Sequence, residues 1–102
     1  MSGKQNDEFV PLELYCTTTR VEIQLIETLA DSGLVQITYR GEERFIPMEE
    51  LAQVERLVRL HDDLGINVEG IEALEHLLGR MQRLQQEVNE LRNRLRRFSG
   101  LD

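Results

Sequence analysis

Residues 20–35 are RVEIQLIETLADSGLV, a stretch whose apolar side chains follow the i, i+4, i+5, i+8 spacing of an amphipathic helix. The stripe that we expect to face a core consists of Val21, Leu25, Ile26 and Leu29. Gly33 is placed to end this helix, because glycine adopts the left-handed capping conformation at little cost. The segment between Val21 and Asp31 carries three carboxylates and no positive charge. It therefore predicts a capped helix with an acidic polar side.

A shorter helix is predicted just upstream. Residues 12–19, LELYCTTT, can form one or two helical turns. The side of these turns that we expect to face the core carries Leu12, Tyr15 and Cys16. Before them, FVP is predicted to be extended, because Pro11 pushes the residue before it toward β geometry. Two short helices in succession are typical of a helix-turn-helix, in which residues 20–35 would be the second helix.

Residues 34–47, LVQITYRGEERFIP, predict a β-hairpin. Side chains alternate between the two faces of a strand, so one face of the first strand is expected to carry Val35, Ile37 and Tyr39. We expect strands near residues 34–39 and 43–47, with a turn at Arg40-Gly41-Glu42 between them. Pro47 is expected to close the second strand, and proline also suits the first turn of a following helix.

The segment MEELAQVERLVRLHDDLGI, residues 48–66, predicts a third helix. Its expected buried stripe is Leu51, Val54, Leu57, Val58 and Leu64. Gly65 is expected to end it. Asn67 is a good N-cap for the next helix, because its side chain can accept a hydrogen bond from a free N–H of the first turn.

The last helix is predicted from Val68 to Phe98, and it carries a heptad pattern with both core positions apolar. The pattern runs through Leu74, Leu77, Met81, Leu84, Val88, Leu91, Leu95 and Phe98. Roughly 30 residues at ~1.5 Å each give a rod of ~45 Å. Within so small a chain, the outer half of this rod has no core to pack on. We therefore expect a homodimer through Leu77 to Phe98 of the stripe, the alternative being a helix folded back on its own domain.

Charge is distributed unevenly along the chain. Residues 1–75 hold 16 acidic and 6 basic side chains, whereas residues 76–102 hold 3 acidic and 6 basic ones. The net charge of −7 disfavours non-specific attraction to nucleic acid or to anionic lipid. The sequence thus predicts an acidic head and a basic C-terminal end.

Four segments of the sequence carry a resemblance to known families. GEERFIPMEELAQVERLVRLHDDLGINVEGIEAL, residues 41–74, resembles the MerR-type domain, in which a wing strand precedes a leucine-patterned helix and a Gly-containing turn. Within that superfamily the chain is more similar to the CbpM chaperone-modulator family. That resemblance is carried by LELYCTTTRVEIQLIETLADSGLV (residues 12–35), VRLHDDLGINVEGIEALEHL (58–77) and MQRLQQEVNELRNRLRRF (81–98).

The resemblance implies a mainly α fold: a MerR-like winged helix-turn-helix with a small β-hairpin wing and a long C-terminal coiled-coil helix. We expect four parts, which are a disordered tail (residues 1–8), the winged head (9–73), a coiled-coil dimerisation segment (74–98) and a second tail (99–102). CbpM proteins bind the J-domain of CbpA, a DnaJ-like co-chaperone, and block its stimulation of the DnaK-type chaperone and its DNA binding. The alternative is a MerR-type DNA-binding transcription regulator.

The charge of the second helix discriminates between these two functions. In DNA-binding MerR proteins an Arg-Tyr pair before the Gly-Leu turn approaches phosphates, and alignment on Gly33-Leu34 places Glu27 and Thr28 there. A carboxylate at that position would repel a duplex. We therefore expect no DNA binding. An acidic surface suits a basic partner, and the partner that the resemblance implies, the J-domain, would be recognised by charge complementarity. The candidate contact residues are Glu22, Glu27, Asp31, Glu49, Glu50, Glu55, Asp62 and Asp63.

Other chemistry is not expected from this sequence. His61 next to two aspartates makes a poor metal-ligand set, since neighbouring helical residues point in different directions. Cys16 is expected to be a small buried hydrophobe. No catalytic constellation, metal site or cofactor motif is present, so we expect a protein that is not an enzyme and has no cofactor. Without an apolar run fit for a signal peptide or a membrane span, a soluble cytoplasmic protein is the expectation.

The C-terminal end leaves two questions open. Two explanations are open for the arginines at this end. They are helix-end charge favoured by the helix dipole, or they contact an acidic partner or nucleic acid. The arginines are Arg92, Arg94, Arg96 and Arg97. In a parallel coil Glu87 would meet Arg92 of the second copy. MerR relatives use antiparallel rods, so both orientations are compatible with the pattern.

Overall fold

The computed structural model describes residues 8–100. The chain forms four α-helices and three short strands. In order these are β1 (Phe9–Pro11), α1 (Leu12–Thr19), α2 (Ile23–Asp31), β2 (Thr38–Arg40), β3 (Glu43–Pro47), a 3-10 turn (Met48–Glu50), α3 (Leu51–Leu64) and α4 (Val68–Ser99). This is the mainly α winged helix-turn-helix that the sequence predicted. Residues 1–7, assigned to the N-terminal tail, and residues 101–102 lie outside the described part.

One apolar core lies among the elements up to Ile71. Its fully buried side chains are Leu12, Ile26, Leu29, Ile46, Val54, Leu57 and Ile71. Each short helix contributes the stripe expected of it, because apolar residues at helical spacing fall on one side. In α1 that stripe is buried as predicted, with Tyr15 and Cys16 beside Leu12. In α2, Ile26 and Leu29 are fully buried and Leu25 is half-buried, and Val21, which was expected in this helix but precedes it, is also half-buried at the edge of the core.

The sheet has three strands, one more than the hairpin predicted. Its order is β1-β3-β2, and both pairs are antiparallel. The extended FVP segment was predicted, but its pairing with β3, in which Val10 lies opposite Ile46, was not. The pairing is continued by the Met48 amide, which donates to the carbonyl of Glu8 at 3.1 Å. Glu8 is thereby bonded to the sheet, although the sequence had assigned it to the tail.

The first hairpin strand is shorter than predicted and begins at Thr38 rather than at residue 34. The preceding amides are bonded elsewhere: Leu34 N–H donates to the Leu29 carbonyl at 2.9 Å, and Gln36 N–H donates to Glu50 Oε1 at 3.0 Å. Residues 34–37 therefore close the turn after α2 instead of extending the ladder. The predicted common face is also wrong, since Val35 is buried while Tyr39 is 66% exposed.

One residue of the α3 stripe was predicted wrongly. Leu64 is the last residue of α3, and its side chain is 67% exposed. Gly65 follows in the left-handed conformation at φ 68°, and Ile66 N–H donates back to the Leu60 carbonyl at 3.2 Å. This turn sends the chain in a new direction, and Leu60 and Ile66 pack against the core in place of Leu64.

The long helix begins and ends close to the predicted residues, at Val68 and Ser99. Asn67 caps it as expected, because its Oδ1 accepts the Gly70 N–H at 2.8 Å. Contacts divide the described chain into two compact units, residues 8–71 and residues 72–100. The first unit contains the core and the sheet, and the second consists of the remainder of α4.

Candidate functional site

Arg44 of β3 is held by two carboxylates from the helix-turn-helix. Its Nη1 donates to Glu27 Oε2 of α2 at 2.6 Å, and its Nη2 donates to Glu13 Oε2 of α1 at 3.4 Å. The hydrogen bond to Glu27 is the main reason why the pKa of the Arg44 guanidinium is raised above its ordinary value. Arg44 of the wing is thus neutralised within the chain.

This contact joins residues that lie far apart in the sequence. Glu27 was predicted at the position where a DNA-binding relative approaches phosphate, whereas Arg44 belongs to the second strand of the predicted hairpin. Glu13 was not singled out at all. It lies 31 residues before Arg44 in the chain, and no local pattern reveals a pairing over that separation.

Asp31 lies near this network. A small cleft of about 40 Å³ is lined by Glu27, Asp31, Tyr39 and Arg44 together with Leu12, Ala30 and Ile37. The carboxylate of Asp31, one turn after Glu27 on α2, is exposed. The structure therefore brings Glu27 and Asp31 together, but Glu27 is already engaged by Arg44.

A second cleft brings two other predicted contact residues together. Glu22 precedes α2 and Asp62 lies near the end of α3, and both line a cleft of about 310 Å³ with Arg20, Leu25 and His61. His61 Nδ1 lies 2.9 Å from Asp62 Oδ1. Arg20 caps α1 in the left-handed conformation at φ 61°, which is uncommon for a residue with a Cβ. The cleft contains both signs of charge and some apolar surface.

The remaining predicted contacts lie along the segment from the 3-10 turn to α3. Glu49 is exposed, whereas Glu50 is half-buried and accepts the Gln36 amide. Glu55 and Asp63 are exposed on α3. The eight predicted residues therefore do not share one environment. Glu27 and Glu50 hold the head together, and Asp31, Glu49, Glu55 and Asp63 are exposed to solvent.

Two buried titratable groups lie on α1. Burial raises the pKa of the Cys16 thiol, an effect that Arg44 opposes and the carboxylates of Glu13 and Glu27 reinforce. Burial likewise raises the pKa of Tyr15, and the charge of Glu55 adds to the effect. A thiol with a raised pKa is a poor nucleophile, which fits the prediction that Cys16 acts as a small hydrophobe.

The part of α4 beyond Ile71 presents a row of exposed apolar side chains. From Leu77 onward, the heptad residues range from 39% exposed at Val88 to 91% at Phe98. Exposed apolar rows of this kind are typical of interaction surfaces. Arg94 and Arg97 line a groove with Leu91, Leu95 and Phe98 at the C-terminal end.

Residues 8–100 contain neither a cluster suited to a metal ion nor a helix suited to spanning a membrane. No group of three or more His, Cys, Asp or Glu side chains is arranged to hold a metal ion there. None of the helices in that range is long and apolar enough to cross a membrane.

Comparison with known protein families gives a match over most of the chain. The model of a family described as MerR HTH family regulatory protein matches residues 10–93. The match begins in β1 and ends within α4, so it includes the sheet and all of the first three helices. Searches of curated proteins and of solved structures gave no significant match.

Proposed function

Because the chain belongs to the MerR HTH family of regulatory proteins, we propose that it is a chaperone modulator rather than a DNA-binding regulator. In this proposal the acidic head binds the J-domain of a DnaJ-like co-chaperone in the cytoplasm. It thereby blocks the J-domain surface to which the DnaK-type chaperone binds. The role is one of binding without chemistry. The partner comes from the resemblance to CbpM proteins described above.

The observation that carries the proposal is the bond between Arg44 and Glu27. Affinity for a duplex depends on arginines and lysines that neutralise phosphates. Here Arg44, one of the two wing arginines, is neutralised by the head itself, and the resemblance to DNA-binding relatives places a carboxylate at the phosphate-facing position of α2. A surface of this kind favours a basic protein over DNA, because complementary charge speeds association and selects the partner.

The second part of the proposal is that two copies pair through α4. Support comes from the exposed heptad residues between Leu77 and Phe98, which a second helix would cover. Replacing Leu84 and Leu91 with Lys would place charges in the seam. We expect multi-angle light scattering to give twice the chain mass for the unmutated protein and the single-chain mass for the variant. Equal masses before and after would exclude this interface.

The partner is tested by surface-plasmon kinetics against the J-domain of the co-chaperone from the same genome. The test variant replaces four exposed carboxylates with Lys, at Asp31, Glu49, Glu55 and Asp63. Glu27 and Glu50 are left intact, since each makes a bond inside the head. We expect association to slow by about tenfold or more at low salt and its salt dependence to flatten.

The matched variant carries Asn or Gln at the same four positions and should show an intermediate rate. Circular dichroism melting checks that all three proteins are folded. A variant that associates as fast as the unmutated protein would remove the acidic head from the proposal. Failure of the unmutated protein to bind the J-domain would remove the chaperone-modulator function itself.

The comparison with DNA is made by fluorescence anisotropy with a labelled 20-base-pair duplex at physiological salt. We expect no binding at micromolar protein concentration. Sub-micromolar binding would instead favour the transcription regulator, and the J-domain measurement would then be expected to fail.

A further inference from the structure

The cleft where α1, α2 and α3 meet carries charges of both signs. It has a volume of about 310 Å³ and is lined by Arg20, Glu22, Leu25, His61 and Asp62. Arg20 and Glu22 lie in the turn between α1 and α2, whereas His61 and Asp62 lie in the last turn of α3. All five residues belong to the compact unit that contains the core. The geometry of the cleft is therefore fixed by the head alone.

Arg20 occupies a backbone position that does not favour arginine. It is the C-cap of α1 at φ 61°, and it is the one residue other than glycine with a positive φ in the described part of the chain. Glycine adopts this conformation without steric cost. Any advantage of arginine here therefore lies in its side chain. Within residues 8–100 the structure records no ion pair for that guanidinium.

Glu22 is likewise unused inside the head. It is the N-cap of α2, yet its side chain makes no capping hydrogen bond. Its backbone is held in place, because its carbonyl accepts the Leu25 N–H at 3.1 Å. The described residues also contain no ion pair of this carboxylate, although Arg20 lies two positions away. Two opposite charges thus line one cleft without neutralising each other.

The α3 wall of the cleft supplies a second carboxylate. His61 Nδ1 lies 2.9 Å from Asp62 Oδ1, and this contact leaves the other carboxylate oxygen of Asp62 available as an acceptor. Leu25, which is half-buried against the core, adds apolar surface. Long basic side chains lay their aliphatic stems on such surface while the charged end reaches a carboxylate.

This arrangement indicates the chemistry of the ligand. Glu22 and Asp62 suit a lysine or arginine side chain, whereas Arg20 suits a carboxylate, which a guanidinium can bind through two parallel hydrogen bonds. A ligand with positive charge alone would place a like charge against Arg20. Exposed ion pairs are individually weak, so a free small zwitterion would be held poorly. A protein is favoured, because a larger contact brings all of these charges together at once.

We propose that the partner protein docks in this cleft and that Arg20 selects a segment in which a carboxylate lies next to a basic side chain. Glu22 and Asp62 receive the basic side chain, and Arg20 receives the carboxylate. This inference rests on the proposed binding of a J-domain and adds the contact that fixes its orientation. The exposed carboxylates of the head attract the partner, and the cleft determines how long it stays bound, because close charge pairs act mainly on dissociation.

Substitution of Arg20 separates this site from general electrostatic attraction. Arg20→Glu makes the head more negative, so a basic partner would bind more tightly if only overall charge mattered. We expect instead that the J-domain dissociates about tenfold faster or more in surface-plasmon kinetics, because its carboxylate loses Arg20. Arg59→Glu is the matched control. It makes the same change of charge at an exposed position of α3 outside the cleft, and it should leave dissociation unchanged or slower.

Arg20→Gly guards this test against unfolding. Glycine fits the left-handed C-cap without strain, so the melting temperature should be equal to or higher than that of the unmutated protein. Dissociation should nevertheless be faster, as for Arg20→Glu. If both Arg20 variants dissociated at the unmutated rate, the docking assignment would be overturned while J-domain binding remained. Failure of the unmutated protein to bind would overturn the proposed function itself.

The carboxylates of the cleft are tested by a pair of double variants. Glu22→Gln with Asp62→Asn removes the two charges that receive the basic side chain, and it should speed dissociation about tenfold. Asp31→Asn with Glu49→Gln removes two exposed carboxylates outside the cleft, and it should mainly slow association. Equal dissociation rates for the two double variants would contradict a docking site in the cleft.

Discussion

Arg44 is the residue through which the three parts of the head meet, since it belongs to β3 and its partners belong to α1 and α2. Its contacts explain why a carboxylate at position 27 is compatible with a folded winged head. The pair with Glu27 is short and half-buried, whereas the pair with Glu13 is longer and more exposed. Loss of the Glu27 carboxylate should therefore lower the stability of the head more than loss of the Glu13 carboxylate.

Glu27→Gln keeps the shape of the side chain but removes its charge. We expect a melting temperature lowered by a few degrees at low salt, with the difference shrinking as salt screens the pair. Asp31→Asn is the matched control, because it removes a carboxylate from the same helix without breaking an internal bond. If both variants melted alike in differential scanning calorimetry, the Arg44 contact would have no stabilising role.

Cys16 gives the head a specific dependence on pH. Its pKa is raised in the folded state, so above about pH 8.5, where an unfolded thiol titrates, the unfolded chain loses its proton more readily. The stabilising contribution is complete below that pH and is lost as pH rises toward the folded pKa. Urea denaturation from pH 7 to 10 should therefore show a shallower decline for Cys16→Ala. Parallel profiles for the two proteins would contradict this assignment.

At the scale of elements, helices were easier to predict than strands. Each helix carries its own periodicity, and local caps such as Gly33, Gly65 and Asn67 mark its ends. The strands depend on hydrogen bonds between residues far apart in the sequence. β1 is a strand because it pairs with β3, and residues 34–37 are not part of the β-ladder because amides in this segment donate to other acceptors. Glu13 in the Arg44 network was missed for the same reason.

Two leucines of α3 can be compared by mutation. Leu64 was predicted to be buried but is exposed, whereas Leu57 is fully buried. Leu57→Ala should lower the free energy of unfolding by about 2–5 kcal/mol, since Leu57 is fully buried. Leu64→Ala should change it by less than about 0.5 kcal/mol, because Leu64 is mostly exposed. Chemical denaturation of the two variants measures both values. A large loss at Leu64 would mean that its side chain is buried in solution.

For the whole molecule, the distribution of surfaces follows the distribution of charge. The exposed carboxylates Asp31, Glu49, Glu55 and Asp63 belong to residues 8–71, whereas residues 72–100 present the apolar row with arginines around it. The two units therefore offer two kinds of interaction surface. One suits a basic partner and the other suits a second copy.

Pairing through α4 should make stability depend on protein concentration. Only folded chains can pair into a dimer. By mass action the denaturation midpoint therefore increases with protein concentration. We expect the urea denaturation midpoint of the unmutated protein to rise as the protein concentration is increased from about 1 to about 100 µM, because association stabilises only the folded chains. The Leu84→Lys, Leu91→Lys variant should show a constant midpoint. A rise of equal size in both would point to association through another surface.

The three-stranded sheet has a consequence for behaviour in crowded solution. Its two outer strands, β1 and β2, are only three residues long, and β1 ends in Pro11, which has no amide hydrogen to donate. Short edges and proline are features that discourage strands of neighbouring chains from adding to a sheet. Fibrous aggregation by edge-to-edge pairing is therefore disfavoured in the folded head, even though the chain exposes a long apolar helix face elsewhere.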